Sequence, residues 1–355
     1  MRNSTNMLFF SRGRGYSHAI RDIQIADALT KFRGDVDLRF VSYGSGAQAL
    51  AEHHQPLIDL EMPDDNPFWP TATKAGELID LIRPELVIAH EEFVVPPVAK
   101  MFGVPTIFIT DWFCEPDDLT MEALSFADEI IFIGEDGIFE EPPEIAGKVF
   151  YAGPVLRRFA YGLADRSRAR REMDFPEKAV IILVLPGGWA TEEREPVWDT
   201  VIPAFESLKI PDKLLVWIAG NDFELLTHRA AKYESVIIKE RDWQLDRLMV
   251  ACDVAITKGN RGTVRELSSL GIPSISMSHG NNPIDDTYLN CISTNTALDA
   301  RTVTRKLLIN SILDALRDGV PDQSPGAAAA LNSRESGAAL AARRIAGRIA
   351  TIAVK

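Results

Sequence analysis

Short β-branched or aromatic runs alternate with longer segments of helical spacing along most of this chain, and few folds satisfy that alternation. The runs Met7–Phe10, Leu38–Val41, Leu86–Ala89, Thr106–Ile109 and Ile130–Ile133 are strand length, while Ala19–Phe32, Thr71–Ile82 and Val94–Phe102 between them space apolar residues as helices do. The pattern restarts at Val180–Leu185 and continues through Leu214–Ala219, Val236–Ile238, Val254–Thr257 and Ser274–Met277. Strands separated by helices pair in parallel through crossovers, so the expectation is α/β: two doubly wound, Rossmann-like parallel-sheet domains in tandem. Residues 1–156 and 157–322 are the expected domains. The boundary falls at Tyr151-Ala152-Gly153-Pro154-Val155-Leu156-Arg157, where a Gly-Pro pair ends a strand and an arginine-rich segment follows. Residues 323–355 read as a loop and then an alanine-rich amphipathic helix, Gly337 to Ile352, carrying Arg343, Arg344 and Arg348.

Composition narrows the function. With 355 residues and 46% hydrophobic content the chain can bury two cores. A formal net charge of -13 argues against a nucleic-acid partner, which calls for a basic surface. Three widely spaced cysteines, Cys114, Cys252 and Cys291, suggest neither a disulfide framework nor a metal site. No run reaches the roughly 20 apolar residues of a membrane span, and Met7–Phe10 is too short for a signal segment. A cytoplasmic protein without a transmembrane segment is expected.

The residues richest in chemistry are Lys258-Gly259-Asn260-Arg261-Gly262-Thr263-Val264-Arg265-Glu266, which follow the run Val254–Thr257 and open a helix. A glycine-rich turn at a helix start aims backbone N–H groups and the positive end of the helix dipole at one point, which favours a phosphate. Lys258 and the Thr263 hydroxyl add a charge and a donor. Glu266, three residues after Thr263, shares its helix face and is suited to accept hydrogen bonds from ribose hydroxyls. An ordinary strand-to-helix turn with a Thr263–Glu266 capping box would use the same residues. Gly187 and Gly188, after Val180–Leu185, form a second glycine turn ahead of Thr191, Glu192 and Glu193. Those acids leave a diphosphate to be balanced by Lys258, Arg12 or Arg14.

Gly271-Ile272-Pro273 then ends the helix, and the polar loop Ser278 to Asp286 follows the next strand. The order Thr263-Val264-Arg265-Glu266, Gly271-Ile272-Pro273 and polar loop resembles the donor half of GT-B glycosyltransferases, particularly the bacterial N-acetylglucosaminyltransferases of peptidoglycan synthesis. The resemblance implies two Rossmann-like domains facing across a cleft, with a nucleotide sugar held by Gly187, Gly188, Lys258, Gly259, Asn260, Gly262, Thr263, Glu266, Asn282, Asp285 and Asp286. It also implies that the tail helix crosses back to the first domain. The chain departs from the family in the polar loop, where Asn281, Asn282, Asp285 and Asp286 stand in place of the usual glutamine. Trp243, at a position where plant relatives carry a Trp-x-x-Gln segment, suits either base stacking or a core.

The first strand leads into Ser11-Arg12-Gly13-Arg14-Gly15-Tyr16-Ser17-His18, at the carboxyl edge of the sheet, where open parallel sheets bind ligands. The spacing of Arg12, Gly13, Arg14 and Gly15 is not that of a dinucleotide fold, and Gly13 and Gly15 allow close backbone approach to a ligand. By the resemblance, His18 is the catalytic base. An imidazole with a reference pKa of about 6.5 can take a hydroxyl proton at neutral pH, worth roughly 10²–10⁴ in rate, although a helix-start histidine also suits backbone capping. Asp111, following another strand, is its expected orienting partner or else a turn aspartate. His90, Glu91 and Glu92 end a further strand within reach of an acceptor.

These features imply an inverting, metal-independent transfer from a nucleotide diphosphate sugar, UDP-linked, to an acceptor that is a small molecule or lipid-linked, with no cofactor. A nucleotide-sugar hydrolase or epimerase on the same fold and a non-catalytic nucleotide-sugar-binding subunit are the alternatives.

Overall fold

The computed structural model describes residues 4–62, 68–113, 119–186, 191–242, 244–278, 288–318 and 336–352. It divides into two compact units, Met1–Arg157 with Asn332–Lys355, and Arg158–Leu331.

In the first unit, β1 (Thr5–Ser11), β2 (Val36–Ser42), β3 (Leu57–Asp59), β4 (Leu86–His90), β5 (Thr106–Thr110), β6 (Glu129–Phe132) and β7 (Val149–Tyr151) form one parallel sheet in the order β3-β2-β1-β4-β5-β6-β7. Side chains alternate between its faces. Leu8 and Phe10 join Val87, Ala89, Phe108 and Phe132 in one buried cluster. Phe9, pointing the other way, packs on Phe40 with ring centroids 5.1 Å apart. Both faces are covered, so β1, β4 and β5 read as continuous apolar runs rather than alternating ones.

The second unit repeats the plan with β8 (Val180–Leu185), β9 (Lys213–Ile218), β10 (Val236–Lys239), β11 (Val254–Thr257), β12 (Ser274–Ser278) and β13 (Asn295–Asp299), ordered β10-β9-β8-β11-β12-β13. Ile182, Val184, Leu215 and Trp217 face one core; Ile181, Leu183, Leu214 and Val216 face the other. In each sheet the strand order reverses beside its first strand, between β1 and β4 and between β8 and β11. Loops leaving adjacent strands there diverge and open a crevice at the carboxyl ends. His18 and the Lys258 turn follow β1 and β11, at these two points.

The helix Gly337–Ile352 belongs to the first unit. It buries Ala338, Ala341, Ala342, Ile345 and Ile349, and the small alanines let it lie close to the helix Ser17–Phe32. Arg343 and Arg344 lie on the outside, Arg343 stacking over Phe32 and Arg344 over Phe150. Arg344 also donates to Glu129, whose side chain is only 9% exposed. The division thus runs from Arg157 to Arg158, and the segment 323–326 expected as a loop lies outside the described residues. Among the described residues, no helix is long and apolar enough to cross a membrane.

Removing Arg344 leaves a buried carboxylate without its donor. Arg344→Ala is expected to destabilise the protein by roughly 1–3 kcal/mol, and Glu129→Gln in the same chain to restore part of that. Urea unfolding of the single and double variants checks it.

Candidate functional site

In the first unit the site is built on the ends of β1, β4 and β5 and on the first turns of the helix Ser17–Phe32. His18 Nε2 lies 3.0 Å from Glu91 Oε2. The same oxygen accepts Arg12 at 3.2 Å, and Glu91 Oε1 accepts the Thr110 hydroxyl at 3.3 Å. Glu91 takes up a left-handed backbone, φ 52°, immediately after β4. Asp111 pairs instead with Arg21, 2.7 Å away. The expectation that Asp111 orients His18 is therefore corrected: the carboxylate on the imidazole is that of Glu91. The reason is reach, since Arg21 stands one helical turn after His18 and meets the β5 end first.

Burial lowers the pKa of His18, and the Glu91 carboxylate offsets only part of that; His90 and Arg21 add to the lowering. Burial alone would raise Glu91, but the bonded His18, with His90 and Arg12 close by, holds it well below the ordinary carboxylate range. Both directions describe a neutral imidazole donating Nε2–H to an ionised carboxylate. The lone pair is then on Nδ1, which is buried and has no hydrogen-bond partner among the described residues.

Next along the chain, Glu92 accepts the Tyr43 hydroxyl at 2.8 Å, and burial pushes its carboxyl up to about 7. Tyr43 also explains Gly13. A Cβ there would stand 2.3 Å from the Tyr43 ring and 2.5 Å from its carbonyl, so the glycine makes room for a tyrosine rather than for a ligand. Arg14 is exposed, and Gly15 has φ +76°, a conformation glycine favours. His18, His90 and Glu91 each offer a metal-ligating atom, all within 4.8 Å of one another. Arg12 on the same Glu91 oxygen and Arg21 close to His18 place positive charge where a cation would sit.

In the second unit, Gly259 has φ +90° and lies against Leu289 and Ser276, so a side chain there would clash. Its N–H is held by the Thr257 hydroxyl at 3.1 Å. The helix runs Arg261–Ser269 and its N-cap is Asn260, whose Oδ1 accepts the Thr263 N–H at 3.3 Å. Asparagine is a strong N-cap, and the anticipated Thr263–Glu266 capping box gives way to it. Glu266, in the second turn, is 7% exposed. Lys258, Gly262 and Thr263 are half-buried around the helix start. Gly187, Gly188, Trp243, Asn282, Asp285 and Asp286 lie outside the described residues.

Five residues of the first site escaped the sequence reading: Arg21, Asp22, Ser11, Tyr43 and Thr110. Asp22 binds His90 Nδ1 at 2.5 Å and the Ser11 hydroxyl at 2.5 Å. The available signal was spacing, because Arg21 and Asp22 stand three and four residues after His18 on one helix.

No protein-family model matches the chain. An uncharacterized glycosyltransferase of Methanopyrus kandleri is 25% identical over 210 residues, covering 56% of this chain and 58% of that protein. A probable monogalactosyldiacylglycerol synthase 2, chloroplastic, of Oryza sativa subsp. indica is 28% identical over 142 residues, 38% of this chain and 29% of that protein. The chain therefore matches less than two thirds of the length of either relative. Among solved structures, the glycosyltransferase SnogD from Streptomyces nogalater superposes with a TM-score of 0.67 at 17% identity, over 97% of this chain and 100% of that one. UDP-GlcNAc 2-epimerase from Neisseria meningitidis, bound to UDP-GlcNAc, superposes with a TM-score of 0.63 at 13% identity, over 98% and 100%. Two parallel-sheet α/β units of this order have the GT-B fold, which those enzymes share.

If Glu91 rather than Asp111 sets the imidazole, Glu91→Gln should lower the His18 pKa further, since the carboxylate raises it. Asp111→Asn should leave the Nε2 bond in place. Histidine NMR titration of both variants distinguishes them.

Proposed function

We propose that the protein is a glycosyltransferase that moves a sugar from a nucleotide diphosphate sugar, UDP-linked, to a hydroxyl acceptor of small-molecule or lipid-linked type. The observation that carries this reading is the 3.0 Å contact between His18 Nε2 and Glu91 Oε2 at the switch point of the first sheet, where burial lowers the imidazole pKa and the neighbouring histidines and Arg12 hold the carboxyl well below its ordinary range. In the inverting course, His18 takes the acceptor proton at Nδ1 while Nε2–H to Glu91 stabilises the imidazolium. The deprotonated oxygen attacks the anomeric carbon, and the nucleotide diphosphate leaves with the electrons of the broken C–O bond. Nδ1 is covered in the structure, so acceptor binding has to uncover it.

The leaving group falls to the Lys258 turn. Two of its N–H groups are engaged by Thr257 and Asn260, which fixes the turn in advance. Its other donors, the helix dipole and Lys258 would meet the phosphates without a divalent cation. Glu266 would accept the ribose hydroxyls.

A second reading has its own support. Glu91 and Glu92 are adjacent carboxyls of opposite tendency, one held ionised and one poised near 7, which suits proton removal and return on a nucleotide sugar. Epimerases are among the proteins of this fold. Donor consumption with and without acceptor separates the readings: acceptor dependence indicates transfer, release without acceptor hydrolysis, and isomerisation of the sugar without release epimerisation. Binding with no turnover of any kind indicates a silent partner subunit.

For transfer, His18→Ala should lower kcat by about a hundredfold or more and leave nucleotide affinity nearly unchanged. Full activity in that variant would remove His18 as the base. Glu266→Ala should weaken nucleotide diphosphate binding by about ten- to a hundredfold, but cost a 2',3'-dideoxy nucleotide little. Calorimetry reads both, and equal losses would assign Glu266 to folding rather than to the ribose.

A further inference from the structure

Two serines stand inside the second sheet where apolar residues would pack at lower cost. Ser274 and Ser276 lie on β12, between β11 and β13, with almost no exposed surface. They share one face of the strand, and the register sets Ser274 beside Asn295 and Ser276 beside Thr257. A buried hydroxyl is tolerated when it is hydrogen-bonded, and Asn295 meets both. Its Oδ1 accepts the Ser274 hydroxyl at 2.9 Å, while its Nδ2 donates to the Ser276 hydroxyl at 2.9 Å and to the Leu289 carbonyl at 3.0 Å. A carbonyl only accepts, which settles the end of the amide that faces Leu289.

Leu289 connects this amide to the Lys258 turn. Its side chain has no exposed surface and lies against Gly259, where a Cβ would stand 2.9 Å from Leu289 Cδ1 and 3.6 Å from Ser276 Cβ. Glycine enters positive and negative φ about equally well, so its own backbone does little to hold Gly259 at φ +90°. The restraint comes from its surroundings: the Thr257 hydroxyl takes its N–H at 3.1 Å, and Leu289 with Ser276 walls its Cα.

We propose that Asn295 is a positioning residue for the Lys258 turn: by tying the Leu289 carbonyl to β12 it keeps the Leu289 side chain against Gly259, and so keeps the turn in the shape that meets a diphosphate. The diphosphate is that of the proposed function, on which this part rests; the hold on Gly259 belongs to the chain alone. The buried serines then have a purpose, since they seat the amide that reaches Leu289.

Asn295→Asp is the discriminating variant. It keeps the size of the side chain and the Ser274 bond, but removes both donated bonds and sets a carboxylate oxygen against the Leu289 carbonyl. In protein labelled with 15N at glycine, the Gly259 amide order parameter should fall from the rigid value of about 0.85 to below about 0.6. Gly271, at the far end of the same helix, should not change. An unmoved Gly259, or a fall that Gly271 shares, would reduce Asn295 to general support and overturn the proposal. Asn295→Ala loses the bonds without the repulsion and should move Gly259 the same way by less, which keeps the test decisive if the aspartate variant does not fold. UDP affinity, read by calorimetry, should fall about tenfold in Asn295→Asp. In a Leu289→Ala background the same substitution should change it by less than about twofold, because the side chain that transmits the hold is gone, while its effect on urea unfolding persists. Equal affinity losses in the two backgrounds would overturn transmission through Leu289. If UDP does not bind the unaltered protein, the donor reading fails instead, and the Gly259 order parameter still decides whether Asn295 holds the turn.

Discussion

Glu91 is where the buried polar groups of the first unit converge. His18, Arg12 and Thr110 all donate to a side chain that has almost no contact with water. A carboxylate so enclosed is tolerable only when its lone pairs are met and a cation is near. Meeting them requires the residue directly after β4 to turn left-handed, at φ 52°, a conformation costing roughly 1–2 kcal/mol for a residue with a Cβ. That strain is offset by the hydrogen bonds it makes possible, and it pins the strand end, the loop after β1 and the first turn of the following helix to one another. Gly13, pressed against Tyr43, and Tyr43, bonded to Glu92, extend the same lattice to β2.

The two units solve the problem of holding charge differently. In the first, side chains neutralise one another in a dry cluster, so each pKa depends on its neighbours and substitutions there act together. The second relies on backbone: a glycine at φ +90°, an asparagine cap and a helix start, whose partial charges are fixed by geometry and do not titrate. Proton chemistry suits the first arrangement. Binding a phosphate at constant strength over a range of pH suits the second.

Much of this architecture was legible from the chain. The strands β1, β4, β5, β8 and β11 are covered on both faces, so their residues had to be apolar throughout and stood out. β3, β7 and β13 did not stand out: Leu57–Asp59 and Val149–Tyr151 are three residues long, and Asn295–Asp299 at a sheet edge carries polar residues that a half-covered strand accommodates. The turn at Lys258 was legible because glycine and asparagine are favoured where a strand turns into a helix start. The partner of His18 was not. Choosing between Asp111 and Glu91 depends on the backbone of Glu91 and on Arg21 reaching Asp111 first, and both are outcomes of packing that no spacing encodes.

The helix Gly337–Ile352 makes the first unit discontinuous in sequence: it is assembled from residues on both sides of the second. A ribosome therefore releases the whole of the second unit before it supplies the helix that covers the helix Ser17–Phe32. Through that interval the alanine and isoleucine face awaiting its cover is open to solvent, whereas the second unit, contiguous in the chain, has everything its own cores need. Order of synthesis and order of completion run opposite ways in this protein, and the part that carries His18 is the last to be closed.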